Sequence, residues 1–283
     1  MRRKLIRQGN DALTITIPAK WLKNKNLKSG DEIEINEQEQ DLLISGTGEA
    51  ELKTKQITLE NISKNHLRSL ISSAYKAGYD QINIKSKEQL KLSLINEIIN
   101  TFTGLEVVSQ DKTTLMIKSF LRPAEDTNAL IIKLFQIIKL VVSDLNDEWE
   151  KVDIDNLEIL VNLNLRKLRD HCLRNIHLQK FGGDKSYDYY DLVTVLEKIA
   201  AEFLVLAKGV TNRSFQAEFL ELKELFEQAY SVYLKKDYSK ANRFWLGVGK
   251  VKNSFLEKKI LVSYYHLIKL YRHLSSRLVS LSN

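Results

Sequence analysis

The sequence is poor in residues that break or cross-link a chain. Only two prolines and eleven glycines occur in 283 residues, which argues against a turn-dense all-β protein and favours long helices. The single cysteine, Cys172, cannot close an internal disulfide, so the chain suits a reducing compartment. It has no run of 18 uncharged apolar residues, and no membrane insertion is expected. The basic start Met1-Arg2-Arg3-Lys4 leads into no apolar signal core, which points to a cytoplasmic protein. What is present is a hydrophobic fraction of 43%, enough to bury a core, over a length that suggests two or three domains.

Charge is unevenly spread. Residues 1–30 carry eight lysines and arginines against one acid, Asp11. Residues 231–283 carry eleven against Asp237 and Glu257, so the middle is net acidic. A basic head points to a polyanion partner; a solubilising basic surface is the plain alternative, for both the head and the tail.

The head reads as two strands, a short helix and two more strands. Residues 2–7 and 12–17 flank Gly9-Asn10-Asp11, and Gly9-Asn10 can supply the positive φ of a tight reversal. Leu13, Ile15 and Ile17 alternate with Ala12, Thr14 and Thr16, as in a half-buried strand. Pro18 opens a helix over 18–25, because its fixed φ suits a first turn. Leu27-Lys28-Ser29-Gly30-Asp31 reverses the chain into strands 32–36 and 41–45. Such a unit is too small for a comfortable core of its own and should pair with a second copy.

The basic first strand, Gly9, the run Leu13-Thr14-Ile15-Thr16-Ile17-Pro18, Trp21-Leu22 and Leu27-Lys28-Ser29-Gly30-Asp31-Glu32-Ile33 together resemble the SpoVT-AbrB/MazE family of swapped-hairpin DNA-binding domains. The resemblance covers residues 1–46. It implies a homodimeric β-barrel that interleaves hairpins from two chains and presents cations to double-stranded DNA. The candidates for DNA contact are Arg2, Arg3, Lys4, Arg7 and Lys20. Lysine and arginine supply sequence-independent affinity by neutralising phosphates, and arginine can also read a guanine edge. Arg2 and Lys4 share a strand face and Arg7 lies opposite, so bases are not assigned. The alternative role of these charges is to keep a strand edge from aggregating.

Residues 46–56 read as a polar linker. A small α/β domain follows over 57–119. Its expected elements are a helix over 58–77, with Ile62, Leu67, Leu70, Ile71 and Ala74 in one stripe, a strand over 81–85, a helix opening at the capping box Ser86-Lys87-Glu88-Gln89, and a hairpin of 105–109 with 113–118. It contains no glycine-rich phosphate loop, paired histidines or nucleophile elbow, and reads as a spacer or dimerising domain.

From Pro123 the pattern is helical throughout. Pro123 and the acids Glu125 and Asp126 suit a helix start. Helices are expected over 124–145, 153–178, 187–210, 215–235, 239–257 and 259–281, joined by short connections that make neighbours antiparallel. The expected fold class is α+β multidomain: a dimeric N-terminal barrel, a small α/β domain, and a six-helix domain over 123–283 made of two three-helix repeats.

That helical domain resembles the PhoU family of phosphate-uptake regulators through Ile154-Asp155-Asn156-Leu157, Leu196-Glu197-Lys198-Ile199-Ala200-Ala201-Glu202 and Tyr233-Leu234-Lys235-Lys236-Asp237. Its fusion to an AbrB-like head resembles archaeal PhoU-like regulators. The family often carries acidic clusters for a divalent or ferric metal, built on Glu/Asp-x-x-x-Asp and Ile-Ala-Asp-His segments. Here Lys151 stands four residues before Asp155, and Ala201 and Glu202 replace the Asp and His. Asp155, Asp170, Glu197 and Glu202 remain as candidate ligands, with solvated helix faces as the default.

Other constellations carry less. His171 and His177 are six residues apart on different helix faces, and Cys172 lacks any acyl-transfer signature. Tyr187, Tyr189, Tyr190, Tyr264, Tyr265 and Tyr271 fit core-edge aromatics with hydroxyls at the surface better than nucleobase platforms. The expected function is a non-enzymatic, DNA-binding transcriptional regulator linked to phosphate uptake, with a sensory or partner-binding helical domain and no resident cofactor. The rivals are a PhoU-type interaction protein that modulates a phosphate-transporter ATPase or a regulatory kinase without touching DNA, and a metal-dependent enzyme or metal-storage bundle.

Overall fold

The computed structural model describes residues 2–9, 12–38, 41–46, 52–61, 63–121, 126–147, 152–209, 216–256 and 262–282. Pro123, Glu125, Ile62 and Lys151 lie outside them. The protein is mixed α+β, with small N-terminal sheets and a helical C-terminal region. It divides into two compact units, Met1–Leu52 and Lys53–Asn283.

The first unit holds two separate two-stranded ribbons. Strands β1 (Ile6–Gln8) and β2 (Ala12–Thr14) pair antiparallel, with Ile6 opposite Thr14 and Arg7 opposite Leu13. Gly9 takes φ +77° at the reversal, a conformation that glycine reaches without penalty. Helix α1 (Ala19–Asn24) starts directly after Pro18. The chain turns at Lys28–Asp31, where the Asp31 carboxylate accepts from the Lys28 N–H at 2.6 Å. Strands β3 (Ile33–Gln38) and β4 (Asp41–Gly46) then pair in register, Ile35 opposite Ile44. The elements expected in the head are thus present in the expected order, although β1 begins only at Ile6 and β2 ends already at Thr14, so both are shorter than the stretches 2–7 and 12–17.

The second unit begins with a four-stranded sheet of order β5-β6-β8-β7, formed by β5 (Thr54–Leu59), β6 (Gln81–Ser86), β7 (Leu105–Gln110) and β8 (Thr114–Ser119). Strand β5 runs parallel to β6, while β8 is antiparallel to both β6 and β7. Helices α2 (Lys64–Lys76) and α3 (Leu92–Ile99) cross over between strands. Ile57, Ile82, Ile84, Leu115 and Ile117 from the sheet meet Leu67, Ile71, Tyr75, Ile95, Ile98 and Phe102 in one core.

Two expectations fail here. Residues 54–59 belong to strand β5, not to a linker and a helix starting at 58. Ile57 and Leu59 alternate into the core beside Ile84 and Ser86, a period-two signal too short to stand out before the helix that follows. Ser86 does not open a helix either. It ends β6 buried, its hydroxyl accepting from the Glu88 N–H at 3.1 Å. The following backbone stays tied to its neighbours, with Lys87 N–H bonded to Leu59 and Leu90 N–H to Lys112, so α3 starts only at Leu92.

The helical region contains α4 (Thr127–Asp147), then one continuous rod made of α5 (Ile154–Ile159), a π-helical stretch (Leu160–Leu165) and α6 (Arg166–Gln179). It continues as α7 (Ser186–Gly209), α8 (Gln216–Lys235), α9 (Tyr238–Leu256) and α10 (Val262–Ser282). Asp153 caps the rod by accepting from Asn156 N–H at 3.0 Å. Gly182 closes the turn before α7 at φ +80°, where a Cβ would lie 2.4 Å from the Tyr189 ring. Apolar residues at helical spacing, among them Ile131, Leu134, Ile138, Val161, Leu165, Leu196, Phe203, Phe226, Phe244 and Leu274, form a second, larger core.

The α/β and helical parts, separated near residue 120 in the sequence reading, pack into one unit through α2 and α6. Arg174 anchors this contact. It is 1% exposed, donates to the carbonyls of Tyr75 and Tyr79 at 2.8 and 2.9 Å, pairs with Asp80 at 3.2 Å, and lies over the Tyr75 ring. Its positive charge sits at the carbonyl end of α2, where the helix dipole favours a cation. Asp80 also accepts from the Lys53 N–H. Gly78 admits the close approach: at φ +77°, a Cβ there would lie 2.6 Å from a Leu178 methyl.

Candidate functional site

Two groups of residues merit a functional reading: the basic head and a charged seam between α2, α6 and α7. In the head, Arg2, Arg3, Lys4, Arg7 and Lys20 are all exposed. The antiparallel register puts Arg7 on the face of Leu13, and Ile6 on the face of Thr14. Lys20 stands in the first turn of α1. Among the described residues of the head, no apolar side chain is buried, and Leu5, Ile6, Leu13, Ile15, Ile35 and Leu42 are each more than half exposed. The head therefore carries its alternating apolar residues outward, beside its cations.

The four acids suggested as metal ligands are not gathered at one point. Asp155 is exposed in the first turn of α5. Glu202 lies 3.6 Å from the His266 ring. Glu197 and Glu202 are five residues apart, which turns them roughly 140° from each other around α7. Asp170 and Glu197 do meet, but with arginine between them. The Arg169 guanidinium pairs with Asp170 at 2.8 Å and with Glu197 at 3.1 Å, and Arg166 adds a second contact to Glu197 at 3.1 Å. Asp170 is fully buried and also accepts from the Ser72 hydroxyl. Guanidinium nitrogens thus occupy the positions a cation would need. Among the described residues, no group of three or more His, Cys, Asp or Glu is arranged to hold a metal ion.

Sequence reasoning missed the basic side of this seam. Arg68 and Lys76 flank Ser72 on one stripe of α2, at i−4 and i+4. Arg68 approaches Asp170 only to 3.8 Å and lies over the Phe102 ring. Burial pushes the Arg68 pKa down; Asp170 opposes the shift, while Arg169 and Arg166 add to it. Burial likewise lowers the Lys76 pKa, with Asp170 opposing and Arg169 and Arg68 adding. The stripe itself is visible in the sequence, but its partner helix is set only by tertiary packing.

The remaining candidates are structural. The Tyr75 hydroxyl donates to the Thr103 carbonyl and faces His171 Nδ1. Cys172 is fully buried, and burial pushes its thiol pKa up, away from a reactive thiolate. Tyr264 and Tyr271 do not hold their hydroxyls at the surface. They are buried and donate to the carbonyls of Glu218 and Leu222 on α8. Tyr187 and Tyr265 remain exposed.

No family model matches the chain, and no curated protein or solved structure matches it. Among the described residues, no helix is long and apolar enough to cross a membrane.

Proposed function

We propose that the chain is a homodimeric DNA-binding regulator in which two heads combine into one basic β platform. The observation that carries this reading is the head's lack of any buried apolar side chain among its described residues, beside five exposed cations. An isolated two-stranded ribbon is marginal in water, and the head has two of them, separate from each other. A second copy offering the same apolar residues supplies a core through an isologous contact. That association concentrates Arg2, Arg3, Lys4, Arg7 and Lys20 in duplicate, and phosphate neutralisation by such an array gives salt-dependent duplex affinity.

The swapped-hairpin barrel and the PhoU-type pair of three-helix repeats are the finer form of this reading. In it, the helical region senses a signal or engages a partner linked to phosphate uptake, and no catalytic step is involved. The test is duplex binding by the full-length chain across a salt series. Affinity should fall steeply with salt, and charge reversal at Arg2, Arg3 and Lys4 should abolish binding while the dimer persists. A confirmed dimer that shifts no duplex at low salt would make the DNA reading wrong. Intact regulation by the charge-reversed chain would instead favour the interaction-protein reading.

A further inference from the structure

We propose that the seam between α2 and α6 binds a small tetrahedral oxyanion of the phosphate class, held by Arg68, Lys76 and the outer nitrogens of Arg166. Among the described residues, four cations, Arg68, Lys76, Arg166 and Arg169, share this seam with two carboxylates, Asp170 and Glu197. Arg169 satisfies both acids, bridging Asp170 to Glu197. Arg166 contributes its Nε to Glu197, so its two terminal nitrogens are not the ones engaged in that bond. Arg68 Nη2 is buried with no hydrogen-bond acceptor. Among the described residues, the Lys76 ammonium makes no hydrogen bond or ion pair.

A buried donor without an acceptor is costly, and surplus positive charge held partly out of water adds to that cost. An oxyanion relieves both. It accepts from a guanidinium fork in the planar geometry such groups favour, while a lysine adds a point charge. The seam is open to a ligand: the side chains of Arg68 and Arg166 keep 23% and 38% of their surface exposed. A second feature points the same way. The π-helical stretch Leu160–Leu165 ends directly before Arg166, and such wide turns inside α-helices concentrate at functional sites. Here it resets the rotation of the rod just before the residues that meet α2. The inference is independent of the DNA-binding reading, because every residue it uses belongs to the second unit.

The experiment uses the full-length chain, calorimetric titration and thermal unfolding, with inorganic phosphate as the probe and sodium chloride holding ionic strength constant. Saturable binding should appear, with a rise in Tm of about 2–5 °C at high occupancy. Lys76→Gln and Arg68→Gln should each weaken phosphate binding about tenfold or more. Lys76→Gln should leave the anion-free Tm unchanged or higher, because it removes an uncompensated cation; a purely structural lysine would instead lower it. The triple change Arg2→Gln, Arg3→Gln, Lys4→Gln should retain the phosphate response. A parallel titration with AMP separates free phosphate from the phosphoryl group of a metabolite: saturation by AMP alone, with the same Arg68 dependence, assigns the site to the latter. The proposal is overturned if neither probe saturates, if both seam variants keep wild-type affinity, or if the head variant loses the response.

Discussion

Residues 2–46 and the unit from Lys53 onward carry the same kinds of hydrophobic pattern, and they bury them differently. In the head, alternating Leu13 and Ile15 and the β3 residue Ile35 stay more than half exposed. In the second unit, Ile57 and Leu59 or Ile82 and Ile84 alternate just as simply and are at most 8% exposed. The sheet of the second unit has α2 and α3 to cover it, whereas among the described residues each head ribbon is a two-stranded sheet by itself. A period-two pattern therefore marks an apolar face, and is silent on what covers it.

The sharpest way to break this contrast is to place a charge on the exposed apolar face of the head. Leu13→Asp should abolish head association and weaken duplex binding by roughly a hundredfold or more, since a carboxylate buried in an apolar contact is costly even with Arg7 opposite it. The main unfolding transition, which belongs to the second unit, should not move. Analytical ultracentrifugation, duplex titration and thermal unfolding read the three quantities. A Leu13→Asp chain with wild-type duplex affinity would mean that the head completes its fold unaided.

The reciprocal change strikes the second unit and spares the head. Arg174→Met removes the cation that ties α6 to the end of α2 and takes a charged donor away from the Tyr75 and Tyr79 carbonyls and from Asp80. Breaking a buried pair on one side typically costs several kcal/mol; because Asp80 is partly exposed, a loss of about 3 kcal/mol is expected in denaturant unfolding. Duplex affinity should be unchanged.

These two regions also differ in how much of them the sequence discloses. In the head, Gly9, Pro18 and Gly30 mark the turns chemically, so the order of its strands and helix is legible, while β1 and β2 are shorter than the alternating pattern suggests. The long helices are legible because Ile131, Leu134 and Ile138, or Leu192, Leu196 and Ile199, repeat at helical spacing over many turns. Strand β5 is not, since its two inward residues provide a single alternation. The π-helical stretch is equally hidden, because Val161 and Leu165 keep an ordinary spacing of four. Asp170 and Glu197 stand out as acids at helical positions, yet their character is set by Arg68, Arg166 and Arg169. Whether a carboxylate meets a metal or a guanidinium is decided by the packing of α2 and α7 on α6, which leaves no mark in local pattern.

The smallest expected effect concerns Asp237, at the start of α9, where the body depends on local chemistry as the head's turns do. Its carboxylate accepts from the Ser239 N–H at 3.0 Å, the Ser239 hydroxyl at 2.8 Å and the Lys240 N–H at 3.3 Å. The bond from the Ser239 hydroxyl, with the two backbone donors, holds its pKa below the ordinary value. A carboxyl group whose pKa is depressed by folding stabilises the folded state above its unfolded pKa, and that contribution fades as pH falls through the lowered folded value. Asp237→Ala should therefore lower Tm at neutral pH by about 2–4 °C, as the loss of a helix cap does in a chain of this size. The gap between the two proteins should narrow on acidification. Parallel thermal scans from neutral to acidic pH measure it. A gap that stays constant or widens at low pH would show that the side chain acts by packing and not as a charged acceptor.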